Sequence, residues 1–224
     1  MDKKWSRSLL LFGNPTLEGL ISVLLAVGIG MTIHEFAHNY VGHLMGDWVP
    51  AQQGRLTLNP LVHINWFGWL MFALIGFGIL GSAPIAAHRM RNPRWGFLAA
   101  VAAGPFSNLA LAIVSGILFQ LLPDSILFGG FSLTLIGQII YTLIFFNVLL
   151  FLFNLLPFFP LDGWHIVYAL LPPEMARLWG SDRWRQYSQF AFLGMILLSF
   201  TGIFNAFGLL IGAPANALTR LLLG

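Results

Sequence analysis

Between residues 32 and 43 the chain reads TIHEFAHNYVGH, two histidines four apart with a glutamate between them. On a helix His34 and His38 lie about 40° apart on one face and one turn from each other, so both imidazoles can point at one ion. In an H-E-x-x-H arrangement the two histidines bind Zn2+, while the glutamate, here Glu35, is not a ligand and serves as a general base toward water. The bland competitor is a set of buried polar residues that hydrogen-bond between helices. Only six histidines occur in the chain, so a chance match is rare. The motif also lies in an apolar stretch, where ionisable groups are costly and mark function.

A catalytic zinc needs a third protein ligand and an open position. His43 follows His38 by five residues, about 140° around the helix, and faces away from the pair. Its spacing also misses the longer H-E-x-x-H-x-x-G-x-x-H pattern, so it reads as an ordinary polar residue near the helix end. The chain has no cysteine, so the ligand must come from His, Asp or Glu. Of the remaining carboxylates, Asp162 alone has an unusual setting. It closes NLLPFFPLDG, residues 154 to 163, where Pro157 and Pro160 break any helix. Two readings of these ten residues stand side by side: a break lining a wet, protein-walled cavity, or a plain helix end followed by a turn at Asp162-Gly163.

The elements that must position these groups belong to a membrane. Hydrophobic residues make up 58% of the chain and charged residues 8%, against about 25% charged in a soluble domain. The fold class expected is an all-α polytopic membrane protein. Four apolar segments, residues 17 to 45, 96 to 122, 132 to 157 and 187 to 212, reach the roughly 20 residues needed to cross hydrocarbon. A fifth, residues 66 to 80, is shorter and glycine-rich, and reads as re-entrant or interfacial. Residues 54 to 58 alternate polar and apolar between Gly54 and Asn59-Pro60, as a short strand would. The net charge of +3 comes from short connections and reads as an orientation signal, which disfavours nucleic acid as a partner. The N-terminal apolar run stops at Gly13-Asn14-Pro15, too short for a cleavable signal peptide, and is expected to be retained.

H-E-x-x-H in one span and N-x-x-P-x-x-P-x-D-G after a later one resemble the site-2 protease family of intramembrane zinc metalloproteases. AGPFSN, residues 103 to 108, is similar to another motif of that family, and GRLTLNP, residues 54 to 60, accompanies it. The resemblance implies that His34, His38 and Asp162 bind one catalytic zinc, and that Glu35 activates water. It also implies that Asn154 helps hold the substrate or the developing oxyanion. Asn108 carries over weakly, because a span asparagine can equally bond to a neighbouring helix. The implied partners are a transmembrane protein substrate and the lipid bilayer. Residues 1–224 are expected to form one membrane-embedded domain with its catalytic core at about 17–171, without the PDZ or regulatory domains that many family members carry.

For His34, His38 and Asp162 to meet at one depth, the first span and the one ending near Asn154 must run parallel, which makes residues 66 to 80 non-spanning. Seven of the eleven basic residues then lie on the cytoplasmic side with the site; a fifth crossing would place nine there. Metal geometry is the stricter demand. The alternative function, a zinc transporter or non-proteolytic scaffold, has no need of Glu35 and would spread polar groups along several spans. A membrane protease with a later glutamate as third ligand is disfavoured, since the sole downstream candidate is Glu174 beside Pro172-Pro173.

Overall fold

The structure, a computed structural model, describes residues 16–63, 65, 66, 68, 81, 83–130, 132–201 and 205–224. Three described helices are long and apolar enough to cross a membrane: α1 (Leu17–Leu44), α2 (Pro93–Leu121) and α3 (Leu135–Asn154). Each starts on a capping side chain. Thr16 accepts from Gly19 N at 3.1 Å, Asn92 from Trp95 N at 3.2 Å and Thr134 from Gly137 N at 3.1 Å. Those oxygens satisfy N–H groups that the first helical turn leaves without partners. Pro93 sits at the first position of α2, where its missing N–H costs nothing.

The three helices pack on one another, and their contacts fix their directions. His38 meets the Ala100 carbonyl and His34 meets Asn108, so α1 and α2 are antiparallel. Val23, Ala26 and Val27 of α1 cluster with Phe146 of α3, and Gly30 faces Asn147 and Leu150. Those two helices therefore run parallel. The bundle buries polar side chains beside its apolar clusters and turns large apolar ones outward. Thr32, His34, Glu35, His38, Asn39, Asn108, Thr142 and Asn147 are buried, while Leu24, Ile29, Val114 and Leu121 are exposed, as lipid-facing side chains should be.

After α3 come α4 (Asp162–Leu170), α5 (Pro173–Trp179), α6 (Asp182–Thr201) and, past a π-helical turn at Gly208–Gly212, α7 (Ala213–Leu223). The start of α4 lies hard against the end of α3: a Cβ on Gly163 would fall on the carbonyl oxygens of Leu155 and Leu156. Its far end is held by Arg94, which donates to the carbonyls of Ala169, Leu170 and Leu171 at 2.7, 3.0 and 3.1 Å. These carbonyls belong to the last turn of α4 and just beyond, which a helix leaves unpaired. The helix that begins at Asp162 is thus clamped at both ends.

Two expectations need correction. Residues 54 to 58 form no strand: Gly54 adopts φ +65°, Thr57 Oγ1 accepts from Asn59 N at 3.2 Å, and the Thr57 carbonyl faces His63 Nε2 at 2.8 Å. These local bonds fold the stretch into turns that alternation alone does not reveal. The two-stranded sheet among the described residues is a hairpin of Phe128–Gly129 with Ser132–Leu133. Of the expected fourth span, residues 187 to 212, the first part lies in α6, which begins earlier at Asp182 and includes Arg183 and Arg185, so this helix as a whole is less apolar than the run that suggested it; residues 202–204 of that run lie outside the described residues. The reading of residues 66 to 80 falls almost entirely outside the described residues.

Replacing Arg94 with Ala removes a charged clamp from three carbonyls and is expected to cost about 1 to 2 kcal/mol of stability. Thermal unfolding in detergent should show the loss, whereas Arg91→Ala, at an exposed position, should leave the transition unchanged.

Candidate metal centre

The 28 residues of α1 carry the H-E-x-x-H motif in their second half. His34 and His38 project toward α2 and meet with their Nε2 atoms 3.0 Å apart. From α4, Asp162 Oδ2 reaches His34 Nε2 at 3.2 Å and His38 Nε2 at 3.3 Å. The three atoms form a nearly equilateral triangle. His34, His38 and Asp162 are the described residues whose ligand atoms converge closely enough to hold a metal ion.

The protonation of this triangle follows from what surrounds it. His38 Nδ1 lies 2.8 Å from the Ala100 carbonyl oxygen, so it must be the donor. Asn108 Nδ2 donates to Gly30 O at 3.0 Å and to Asn147 Oδ1 at 2.8 Å, leaving Asn108 Oδ1 to face His34 Nδ1 at 2.7 Å. His34 Nδ1 is therefore also a donor. With each neutral ring's proton placed on Nδ1, both Nε2 atoms turn bare lone pairs toward one another and toward a carboxylate. Asp162 Oδ2 is buried and accepts no hydrogen bond. A single proton could satisfy one pair of these acceptors; a cation satisfies all three.

The spacing suits that cation. Ligands about 2.0 to 2.1 Å from a tetrahedral zinc lie roughly 3.3 Å apart, against the 3.0 to 3.3 Å between the three atoms here. Three protein ligands leave a fourth position, as a catalytic site requires. Glycine supplies the room. A Cβ on Gly104, in AGPFSN, would fall on the imidazole of His38 and within 2.8 Å of His34 Cε1.

The other residues singled out by sequence take different positions. Glu35 is buried with Oε2 unpartnered, and a Cβ on Gly81 would fall on its carboxylate. Asn154, the last residue of α3, gives an amide N–H to its own helix at Leu150 O, 3.0 Å away, rather than to the triangle. His43 faces the Asp47 carbonyl and the Trp48 ring. Asn108, carried over weakly, is in direct contact with His34, one of the three converging residues.

Sequence reasoning passed over Asn147, Asn39 and Asp47. Asn39 Nδ2 donates to the Glu35 carbonyl at 2.7 Å. Asp47 accepts from Val49 N at 3.0 Å and Ala86 N at 2.7 Å, tying the end of α1 to the approach to α2. A signal for Asn147 was present: it is an asparagine in a 20-residue apolar helix, seven before Asn154 and hence on nearly the same face.

No family profile matches the chain, and no solved structure matches it. Curated proteins do. The protein named "Putative zinc metalloprotease YwhC" of Bacillus subtilis (strain 168) is 40% identical over 147 residues, which cover 65% of this chain and 67% of that protein. "Putative zinc metalloprotease Rip2" of Mycolicibacterium smegmatis is 29% identical over 182 residues, 79% of this chain and 66% of that protein. The protein of the same name from Mycobacterium tuberculosis is 29% identical over 157 residues, covering 66% of this chain and 57% of its own length. The likeness to YwhC extends over two thirds of that relative and joins a membrane bundle to a centre of two histidines and an aspartate; the chain belongs to the site-2 protease family of intramembrane zinc metalloproteases.

Proposed function

We propose that His34, His38 and Asp162 hold the zinc, that Glu35 is the general base, and that the reaction is hydrolysis of a peptide bond in or near a transmembrane segment of a substrate protein. The observation that carries this reading is the convergence of three acceptor atoms at 3.0 to 3.3 Å with both Nδ1 protons committed elsewhere. Polarisation of a peptide carbonyl and activation of a water are the chemistry that zinc supplies when bound. Glu35 takes a proton from water as the water oxygen bonds to the carbonyl carbon. When the C–N bond breaks, Glu35 returns that proton to the leaving amine, so the products are a carboxylate and an amine. Asn154 has a second amide N–H, beyond the one given to Leu150, to offer a substrate carbonyl.

A transmembrane substrate hides its peptide bonds in its own helix, so several residues must unwind before a carbonyl can be reached. Helix-weakening residues near the cut favour that step, Gly by about 1 kcal/mol and Pro by about 3 relative to Ala. The turns at residues 54 to 58 offer no ready strand for pairing, so this preference rests on the substrate's own helix. The centre sits in the half of α1 that leads to the arginine-bearing connection at residues 89–94, and we assign that end to the cytoplasmic side.

Purified protein is expected to hold one zinc per chain. Glu35→Gln should retain it and lose cleavage by at least about a hundredfold, as expected when a general base is removed. His34→Ala or Asp162→Ala should lose metal as well as activity. Glu35→Gln with full proteolysis would reject the mechanism in favour of a transport or scaffold role.

Because the chain has no native cysteine, single cysteines at the exposed positions Gln53 and Ser125 report sidedness directly. Gln53→Cys should react with an impermeant maleimide from the cytoplasmic face and Ser125→Cys from the opposite face. The reverse pattern would place the centre on the other side.

A further inference from the structure

We infer that Asn147 is a positioning residue for the metal centre: together with the Gly30 carbonyl it holds the amide of Asn108 in the orientation that keeps the proton of His34 on Nδ1. This rests on the reading of His34 as a zinc ligand and names the group on a third helix that makes it one. Asn147 is fully buried in α3 and has no contact with the triangle of ligand atoms among the bonds described for it.

Each amide in the relay is oriented by a group that cannot reverse its role. Asn147 Nδ2 donates to the Leu143 carbonyl at 2.8 Å, and a carbonyl can only accept. Asn147 Oδ1 is thereby directed at Asn108 Nδ2, 2.8 Å away. The second N–H of Asn108 goes to Gly30 O at 3.0 Å, also an obligate acceptor. Asn108 is left with its oxygen toward His34 Nδ1 at 2.7 Å, so the imidazole proton is drawn to Nδ1 and the lone pair to Nε2. Were Asn108 reversed, its N–H would face Nδ1, the proton would move to Nε2, and His34 would present a proton where a ligand is needed. His38 needs no amide between, because its Nδ1 donates directly to a backbone carbonyl.

Two helices thus cooperate on one ring of a third. Gly30 leaves the space for this: a Cβ there would stand 2.7 Å from Asn147 Oδ1 and 3.1 Å from Leu150 Cδ1. The relay also explains why a lipid-embedded bundle tolerates two adjacent fully buried asparagines, since their amides are satisfied chiefly by each other and by helix carbonyls.

The test is zinc affinity by chelator competition in purified, folded protein. Asn147→Leu keeps the volume but removes the acceptor, and zinc affinity should fall about tenfold, at the lower end for loss of a partner behind a ligand. The double variant Asn108→Asp with Asn147→Leu should recover most of that loss. A carboxyl at 108 accepts from His34 Nδ1 with one oxygen and, protonated on the other, donates to Gly30 O, so it needs no partner at 147. A purely structural role for Asn147 gives no such recovery, because the second substitution leaves the packing lost at 147 unrepaired. Unchanged affinity in Asn147→Leu, or a loss that the double variant fails to recover, overturns the inference. Should Asn147→Leu not fold, Gly30→Ala carries the test: it retains both asparagines and displaces the acceptor oxygen, so affinity should fall, and an unaltered value overturns the inference. Failure of the underlying reading is separable, because His34→Ala would then bind zinc as tightly as the native protein.

Discussion

Three unprotonated acceptor atoms brought together inside an apolar bundle are the constraint on which this architecture depends. Lone pairs at 3.0 to 3.3 Å repel in a low dielectric unless a cation lies among them. Every nearby element contributes to holding them there. The Ala100 carbonyl and Asn108 fix the two rings, Gly104 leaves them room, and Arg94 anchors the helix that begins with Asp162. The parallel course of α1 and α3 follows from the same demand, because a ligand set drawn from the end of one and just past the end of the other can meet at a single depth only in that arrangement.

Membrane burial sharpens the division between ligands and supports. In water a histidine tautomer is set by small energy differences and solvent can supply whichever partner is missing. Within the bundle, each N–H and each carbonyl oxygen must find a protein partner. The groups behind the two candidate ligand histidines are accordingly an amide and a backbone carbonyl, neutral groups with fixed donor and acceptor roles. Among the described residues the buried titratable groups of the long helices are those at the centre, His34, Glu35 and His38 in α1, with Asp162 arriving from α4. A path for carried ions along several spans is not the pattern these helices show, and the likeness to named metalloproteases points the same way.

Much of the site was legible because its chemistry uses rare residues in fixed spacing. The i, i+4 histidines, the glutamate between them and the aspartate before Gly163 stand out in a chain with 8% charged residues. Three spans were legible from apolar length alone. The supports were harder to read, since Asn147 and Ala100 act through single atoms brought close by helix packing, and no local pattern states which helices pack. The strand expected at residues 54 to 58 failed because side chain to backbone bonds at Thr57 and His63 outweigh an alternating pattern five residues long. The described part of the span expected at 187 to 212 is helical but begins earlier, at Asp182, because hydropathy marks where apolar residues lie, whereas helix boundaries depend on where the chain can start and stop a helix.

The central claim, that both imidazoles and one carboxylate bind a single zinc, is most directly tested by X-ray absorption at the zinc edge of the purified protein. The expected spectrum has only nitrogen and oxygen neighbours at about 2.0 to 2.1 Å, with the outer-shell scattering of two imidazole rings, falling to one ring in the weakly held zinc that His38→Ala takes up when metal is in large excess. A zinc environment without imidazole scattering, or one that keeps two rings after that substitution, would contradict it.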